Sequence, residues 1–565
     1  MQTTPQSPFR IVDQVPEPHA NWWRSDPAFQ ALLRRLLSPE ALAWLAPQLD
    51  RMGADASLRV DPLARIADKQ SPQLKSFDPY GRRIDEIVHH PAYREMERIG
   101  YGSGMIGLKY DPEIRRRFPA TGNVMGYALG YLFGQAESGL YCPICMTDGA
   151  ARVIERYGTE EQQRRVIPRL AARDVERLWR GAMFLTEKQG GSDVGAAGTR
   201  AVKDGERWKL TGEKWFCSNV DAEVILALGR PDGADAGTKG LGLFLVLREK
   251  GDRPGLRIDR IKDKLGVRSM ATGEVVLDGV EAELVGPVDK GFKAMTVMLN
   301  CSRLYNAVAS VAVVRRAALE ATRYLRARKT FGKTALDHPL IREALANLHA
   351  DHLAATALTF QTAEHVDRAD AGSALDERRM RLLTPLVKYW TARLSVAAAS
   401  EAIELIGGNG YIEDFVTARL LRDAQVLPVW EGTTNILLLD VLRTCQKERG
   451  QEPLFEDLAA RLAAAPAGLE REAETVAKLA RGLADELGQL LAADPARQAV
   501  HVRRWADRFN LAFSVGLLID QAKLGGAGAD LAAAAARRLV RNALEPAREP
   551  KADDTAALVE RTVLE

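Results

Sequence analysis

The chain is poor in cysteine, with five in 565 residues. They are scattered as Cys142, Cys145, Cys217, Cys301 and Cys445. An odd number at wide spacing argues against a disulfide framework. "CPIC" at 142–145 has C-x-x-C spacing, but no second pair and no spaced histidines complete a zinc site. These read as buried structural thiols, and no metal is expected. An excess of one charge is also missing: the formal net charge is +3, which gives no overall electrostatic case for nucleic acid or a membrane surface. No run approaches the roughly 20 apolar residues that span a bilayer. The N-terminus lacks a basic-then-apolar signal pattern, so a cytoplasmic protein is expected. No G-x-x-x-x-G-K-[ST] occurs, and "IGGNGYIEDF" at 406–415 follows a helical stretch rather than a strand. Both facts speak against a P-loop or Rossmann site.

What remains is ordinary globular composition, 46% hydrophobic and 27% charged, in a chain too long for one core. Residues 1–180 read as helical, with apolar residues three and four apart in "DPAFQALLRRLLSPEALAWLAPQLDRM" and a helix start at Ser38-Pro39. "FDPYGRRIDEIVHHPAYREM" reads as a polar turn leading into another helix. Residues 181–288 change to short, glycine-punctuated β-rich runs such as "GLGLFLVLRE", as in an antiparallel sandwich or barrel. Residues 289–445 hold long Ala/Leu/Arg-rich segments of the kind that form a bundle. Residues 446–565 are a further Ala-rich helical region. The expected fold is multidomain α+β: an N-terminal α-helical domain, a middle antiparallel β-sandwich or barrel, a C-terminal four-helix bundle and an extra C-terminal helical region.

Four polar, glycine-containing segments stand out. In "MFLTEKQGGSDVGA" a strand-like run ends at Thr186, and Gly190, Gly191 and Ser192 follow. Such a loop lets backbone and hydroxyls approach a flat or anionic ligand, although a plain β-turn has the same composition. In "GEKWFCSN" alternation puts Trp215 and Phe216 on opposite faces, one toward the core, the other with Ser218 toward a ligand. In "RARKTFGK" Arg328 is suited to a phosphate or to a helix C-terminus. The fourth runs from "IGGNGY" to "VWEGTTNI", where one carboxylate, Glu431, lies between Trp430 and a glycine.

In this order, on an α–β–α frame, "TEKQGGSD", "RKTFGK", "GGNGY…RD" and "WEGTTNI" resemble the acyl-CoA dehydrogenase family, from the end of the first helical region to about residue 445. The resemblance implies an FAD enzyme, a homotetramer of paired dimers, with an electron-transfer flavoprotein as acceptor. It places Thr186 and Ser192 beside the flavin ring and the thioester. Phe216, where most members have Trp, and Ser218 back the ring. Arg328, Thr330 and Phe331, with Gly407, Gly408 and Gly410, reach the FAD of a neighbouring subunit. Glu404 stands where a glutamine is expected. Thr433 and Asn435 are further FAD positions. Glu431 becomes the base that removes the α-proton of an acyl-CoA, short or branched as for an isovaleryl-CoA dehydrogenase. Arg303 matches a position near the CoA or substrate channel, and a salt-bridged helix arginine fits it equally.

"TEKQGGSD", "CPICMT" and "DPYGRRIDEIVHHPAYREM" resemble the AidB branch, flavoproteins of the DNA-alkylation response, over nearly the whole chain. That branch implies a C-terminal domain that binds double-stranded DNA, with weak dehydrogenase activity. Against it, residues 446–565 carry 17 Lys and Arg against 19 Asp and Glu, whereas DNA-binding domains are basic. Two clusters favour it, Arg504 with Arg508 and Arg537 with Arg541, each pair one helical turn apart. Three readings stay open: an acyl-CoA dehydrogenase, a DNA-binding AidB-like flavoprotein, and a flavin-bound scaffold. Trp430, in space an acyl chain would need, bears on the choice.

Overall fold

Helix starts in the chain are written in its capping residues. Ser38 accepts from Ala41 N and Pro39 opens helix Pro39–Asp55, while Thr159 and Gln162 form a reciprocal capping box on Glu160–Leu170. The structure, a computed structural model, describes residues 21–248, 254–545 and 551–563. The first region is helical up to Leu170, with one exception. The expected polar turn at 78–82 and the helix after it, Pro91–Gly102, are present, but the turn joins two strands not foreseen, Gln73–Phe77 and Arg83–Val88, in an antiparallel hairpin. Long-range bonds decide this: Ile258 N donates to Asp85 Oδ2 at 2.9 Å, and Arg83 Nη2 donates to Ile258 O at 2.8 Å. The hairpin is thereby pinned to the β-domain.

Among the described residues the β-domain has seven strands: Gly181–Phe184, Arg200–Asp204, Arg207–Ser218, Val224–Pro231, Gly242–Leu247, Leu256–Ile261 and Thr272–Leu284. Pairing is mostly antiparallel, with Gly181–Phe184 and Arg200–Asp204 parallel to Val224–Pro231. Val224–Pro231 also pairs with Gly242–Leu247, which closes the sheet path into a barrel. In Arg207–Ser218 the register shifts between Lys214 and Cys217. That bulge overrides simple alternation. Lys214 and Cys217 take the core, Trp215 is half-buried, and Phe216 is 57% exposed, so neither aromatic fills the core as expected.

Helices Gly291–Ala327, Pro339–Asp370, Ala374–Ile406 and Thr434–Glu448 pack together as the bundle. The first belongs to a stretch, Val288–Ala327, long and apolar enough to cross a membrane by composition, but 78% of its apolar window is buried inside the fold. Beyond it, Gln451–Ala463, Glu470–Ala492, Pro495–Gln521, Ala527–Leu544 and Ala552–Glu560 form the last region. Trp505 stacks on Phe509 at 5.2 Å and donates its indole N–H to Leu483 O. Ala527–Leu544 packs against both Pro339–Asp370 and the first helix, Pro27–Leu36.

Candidate active site

Glu431 sits in a turn between Val416–Ala424 and Thr434–Glu448. Its φ is +58° and that of Gly432 is +100°. For a residue with a Cβ this left-handed conformation costs on the order of 1–3 kcal/mol unless the surroundings impose it. Here they do. Lys388 Nζ donates to Trp430 O at 2.6 Å and to Gly432 O at 2.7 Å. Arg303 Nε donates to Glu431 O at 3.3 Å. Arg303 is held in turn by Asp440 at 2.7 Å, a carboxylate shared with Arg381 at 2.6 Å.

The carboxylate itself is left free. Glu431 Oε2 is buried with no hydrogen-bond partner, as are the neighbouring Trp430 Nε1 and Ser302 Oγ. Burial pushes Glu431 up to about 7, with the positive charges of Lys388 and Arg303 opposing it. Cys142 and Cys145 lie within electrostatic reach of Glu431, and burial raises both thiols, Cys142 to about 12, so neither is a ready nucleophile. All five cysteines are buried and unbridged, and no cluster of metal-ligating side chains occurs among the described residues.

The Thr186 loop is anchored beneath its surface. Glu187 accepts from Gly198 N at 2.6 Å, from Thr199 Oγ1 at 2.6 Å and from the fully buried Lys214 ammonium at 2.7 Å. Trp215 N donates to Thr186 O at 2.9 Å, which brings the first two segments together. A Cβ on Gly191 would meet Thr186 Oγ1 at 2.7 Å, so glycine is needed there. Ser192 is exposed, Ser218 is half-buried, and Lys262 Nζ lies 3.3 Å from the Trp215 ring centroid and 4.9 Å from that of Phe216.

The other two glycine segments form a second cluster. Arg328 Nη1 donates to Ile406 O at 2.9 Å, beside Gly407, whose φ is +80°. Gly410 packs on Ile403 O, whereas a Cβ on Gly408 would meet open space. Thr330 Oγ1 bonds His338 at 3.0 Å, and Phe331 is 96% exposed with φ +50°. Thr433 caps helix Thr434–Glu448 without a side-chain cap bond, and Thr433 and Asn435 are both exposed. That leaves the helix N-terminus open to an anion.

These features suit a flavin. An exposed aromatic ring at Phe216, with Lys262 beside it, and hydroxyls at Thr186, Ser192 and Ser218 would suit a flat polar ring, and the open helix start at Thr433 would suit a pyrophosphate. Arg303 proves to be a salt-bridged helix arginine turned under the Glu431 turn. Lys388 and the Lys214–Glu187 pair escaped the sequence reading; an isolated lysine within the apolar run "LLTPLVKYW" was the one available signal. The four C-terminal arginines face carboxylates. Arg504 lies 4.0 Å and Arg508 2.5 Å from Glu486, Arg537 pairs with Asp554, and Arg541 lies 3.3 Å from Glu343.

Comparison with known proteins agrees with this architecture. Residues 13–177 match the family model of the adaptive response protein AidB N-terminal domain. Residues 182–280 match the acyl-CoA dehydrogenase middle domain, and residues 289–445 its C-terminal domain. The putative acyl-CoA dehydrogenase AidB of Escherichia coli K12 is 32% identical over 493 residues, 84% of this chain and 87% of the relative. Acyl-CoA dehydrogenase family member 11 of Caenorhabditis elegans is 36% identical over 436 residues, 75% of this chain and 70% of the relative. The crystal structure of Caenorhabditis elegans ACDH-11 in complex with C11-CoA superposes with a TM-score of 0.90 at 32% identity, covering 97% of this chain and 94% of that one. The chain belongs to the acyl-CoA dehydrogenase family, oxidoreductases acting on acyl-CoA, and it carries the AidB-type N-terminal domain.

Proposed function

We propose that this protein is an FAD-dependent dehydrogenase that oxidises an acyl-CoA thioester between its α- and β-carbons, with Glu431 as the base. The observation that carries the reading is the Glu431 carboxylate, buried at Oε2 without a partner and pushed up to about 7 by that burial. A carboxyl group in this range is about half ionised at neutral pH and, once ionised, is basic enough to take the acidic α-proton. FAD, when bound, supplies the acceptor for the β-hydride. Thr186, Ser192, Phe216 and Ser218 would hold its ring, and Thr433, Asn435 and the helix N-terminus its phosphates. Arg328, Thr330 and the bare Phe331 ring, with Gly407, Gly408 and Gly410, would reach the flavin of a partner subunit in a homotetramer. An electron-transfer flavoprotein is the acceptor we infer.

Trp430 packs against the core beside the base, and we infer that its indole narrows the acyl channel. That favours short or branched acyl groups. Binding of duplex DNA finds little support, since carboxylates at Glu486, Asp554 and Glu343 partly offset the charge of the candidate arginines. The test is anaerobic bleaching of the flavin band by a panel running from isovaleryl-CoA to C11-CoA. The reading requires bleaching by at least one member and its loss in Glu431→Gln; a silent panel would overturn it.

A further inference from the structure

Lys388 lies near the middle of helix Ala374–Ile406 with no exposed surface. A lysine this deep ordinarily has a carboxylate in contact. Lys388 has two carbonyls instead, Trp430 O and Gly432 O, on either side of Glu431. Arg303, on helix Gly291–Ala327, holds the carbonyl between them. Three successive carbonyls are thus drawn to one side by two cations on two helices. That arrangement imposes the left-handed backbone at Glu431 and Gly432 and leaves the carboxylate free of the bonds that hold the turn.

The two cations are not equivalent. Arg303 has its own counter-ion in Asp440, which Arg381 also grips. For Lys388, the carboxylate whose charge acts on it is that of Glu431. The charged and titratable groups facing Glu431 are Lys388 and Arg303 from the bundle, and Cys142 and Cys145 from helix Tyr141–Tyr157. Both thiols are held protonated by burial.

We propose that Lys388 is a positioning residue for the reaction: its ammonium clamps the carbonyls on both sides of Glu431, fixes the turn that aims the carboxylate, and supplies the charge that keeps it ionised. This rests on Glu431 being the base. The proton balance is simple. The α-carbon C–H bond breaks and the proton goes to a Glu431 oxygen, while Lys388, which burial lowers to about 7 against the opposing pull of the Glu431 charge, transfers no proton to the substrate and keeps its carbonyl bonds.

The test compares Lys388→Met, Lys388→Gln and Lys388→Arg in the flavin-loaded protein, following the anaerobic bleaching rate from pH 6 to 10. Removing an opposite charge at close range moves a carboxylate by about 1–2 pH units. The acid limb of Lys388→Met and Lys388→Gln is therefore expected to move up by that amount. The rate at pH 7 falls about five- to fiftyfold and recovers by pH 9, more fully in Lys388→Gln, whose amide still donates to a carbonyl. Lys388→Arg keeps the charge and the wild-type limb. Should Lys388→Met not fold, Lys388→Gln against Lys388→Arg gives the same reading. A rate lowered equally at every pH, with the limb unmoved in the uncharged variants, overturns the proposal and leaves Lys388 a scaffold residue. Full bleaching by Glu431→Gln would instead overturn the assignment of the base.

Discussion

Replacing Lys214 by Met is expected to destabilise the protein in a pH-dependent way that can be worked out from the Thr186 loop. Lys214 is fully buried and bonds Glu187 at 2.7 Å and Leu228 O at 2.9 Å. Glu187, itself buried, is driven down to about 2 from 4.5: burial works against that shift, and the Lys214 charge and hydrogen bonds outweigh it. The folded state therefore binds the Glu187 proton more weakly than the unfolded state. Its contribution is present above about pH 4.5 and is lost as the pH falls toward 2. At roughly 1.4 kcal/mol per unit, a shift of about 2.5 units is worth about 3.5 kcal/mol, from which the cost of burying the Lys214 ammonium, itself lowered by desolvation, is subtracted. That agrees with the roughly 3–5 kcal/mol cost of orphaning one member of a buried pair. Thermal melting at pH 7 should show Lys214→Met losing about 3 kcal/mol, with a smaller deficit at pH 3.5 and release of flavin as the loop loosens. The double change Glu187→Gln with Lys214→Met should cost less than the two single changes added together. Equal deficits at both pH values, or strict additivity, would show that the Lys214–Glu187 pair does not hold the loop.

Two further outcomes follow from the same geometry. Phe216→Ala should lower flavin retention in gel filtration while Phe216→Trp keeps it, because a 57% exposed ring is a contact surface rather than core; equal retention by both would contradict that role. Changing Arg504 and Arg508 together to Ala should leave any low-salt retention of duplex DNA unchanged, since both face Glu486; a clear loss in a gel shift would restore the DNA reading.

The gross fold could be read from local pattern. Helical apolar spacing and capping residues mark the first region and the bundle, and glycine-punctuated β-branched runs mark the barrel. What escaped depends on distant partners. The hairpin at 73–88 exists because Asp85 meets Ile258 on a strand 173 residues later. The bulge after Lys214, which turns Phe216 outward, answers to Glu187 and to the partner strand Thr272–Leu284. At the site, the motif around Glu431 could be recognised only by resemblance to a family. Its clamp could not, because Lys388 and Arg303 reach the turn from 42 and 128 residues away and look locally like ordinary helix cations.

Glu431 acting as a base made stronger by burial can be read from the pH dependence of flavin bleaching by an acyl-CoA under anaerobic conditions. The rate should rise through an acid limb near pH 7, as expected for a carboxylate pushed up to about 7, and Glu431→Gln should abolish bleaching while retaining the flavin. Bleaching at wild-type rate in Glu431→Gln, or a rate already flat from pH 5, would contradict the account.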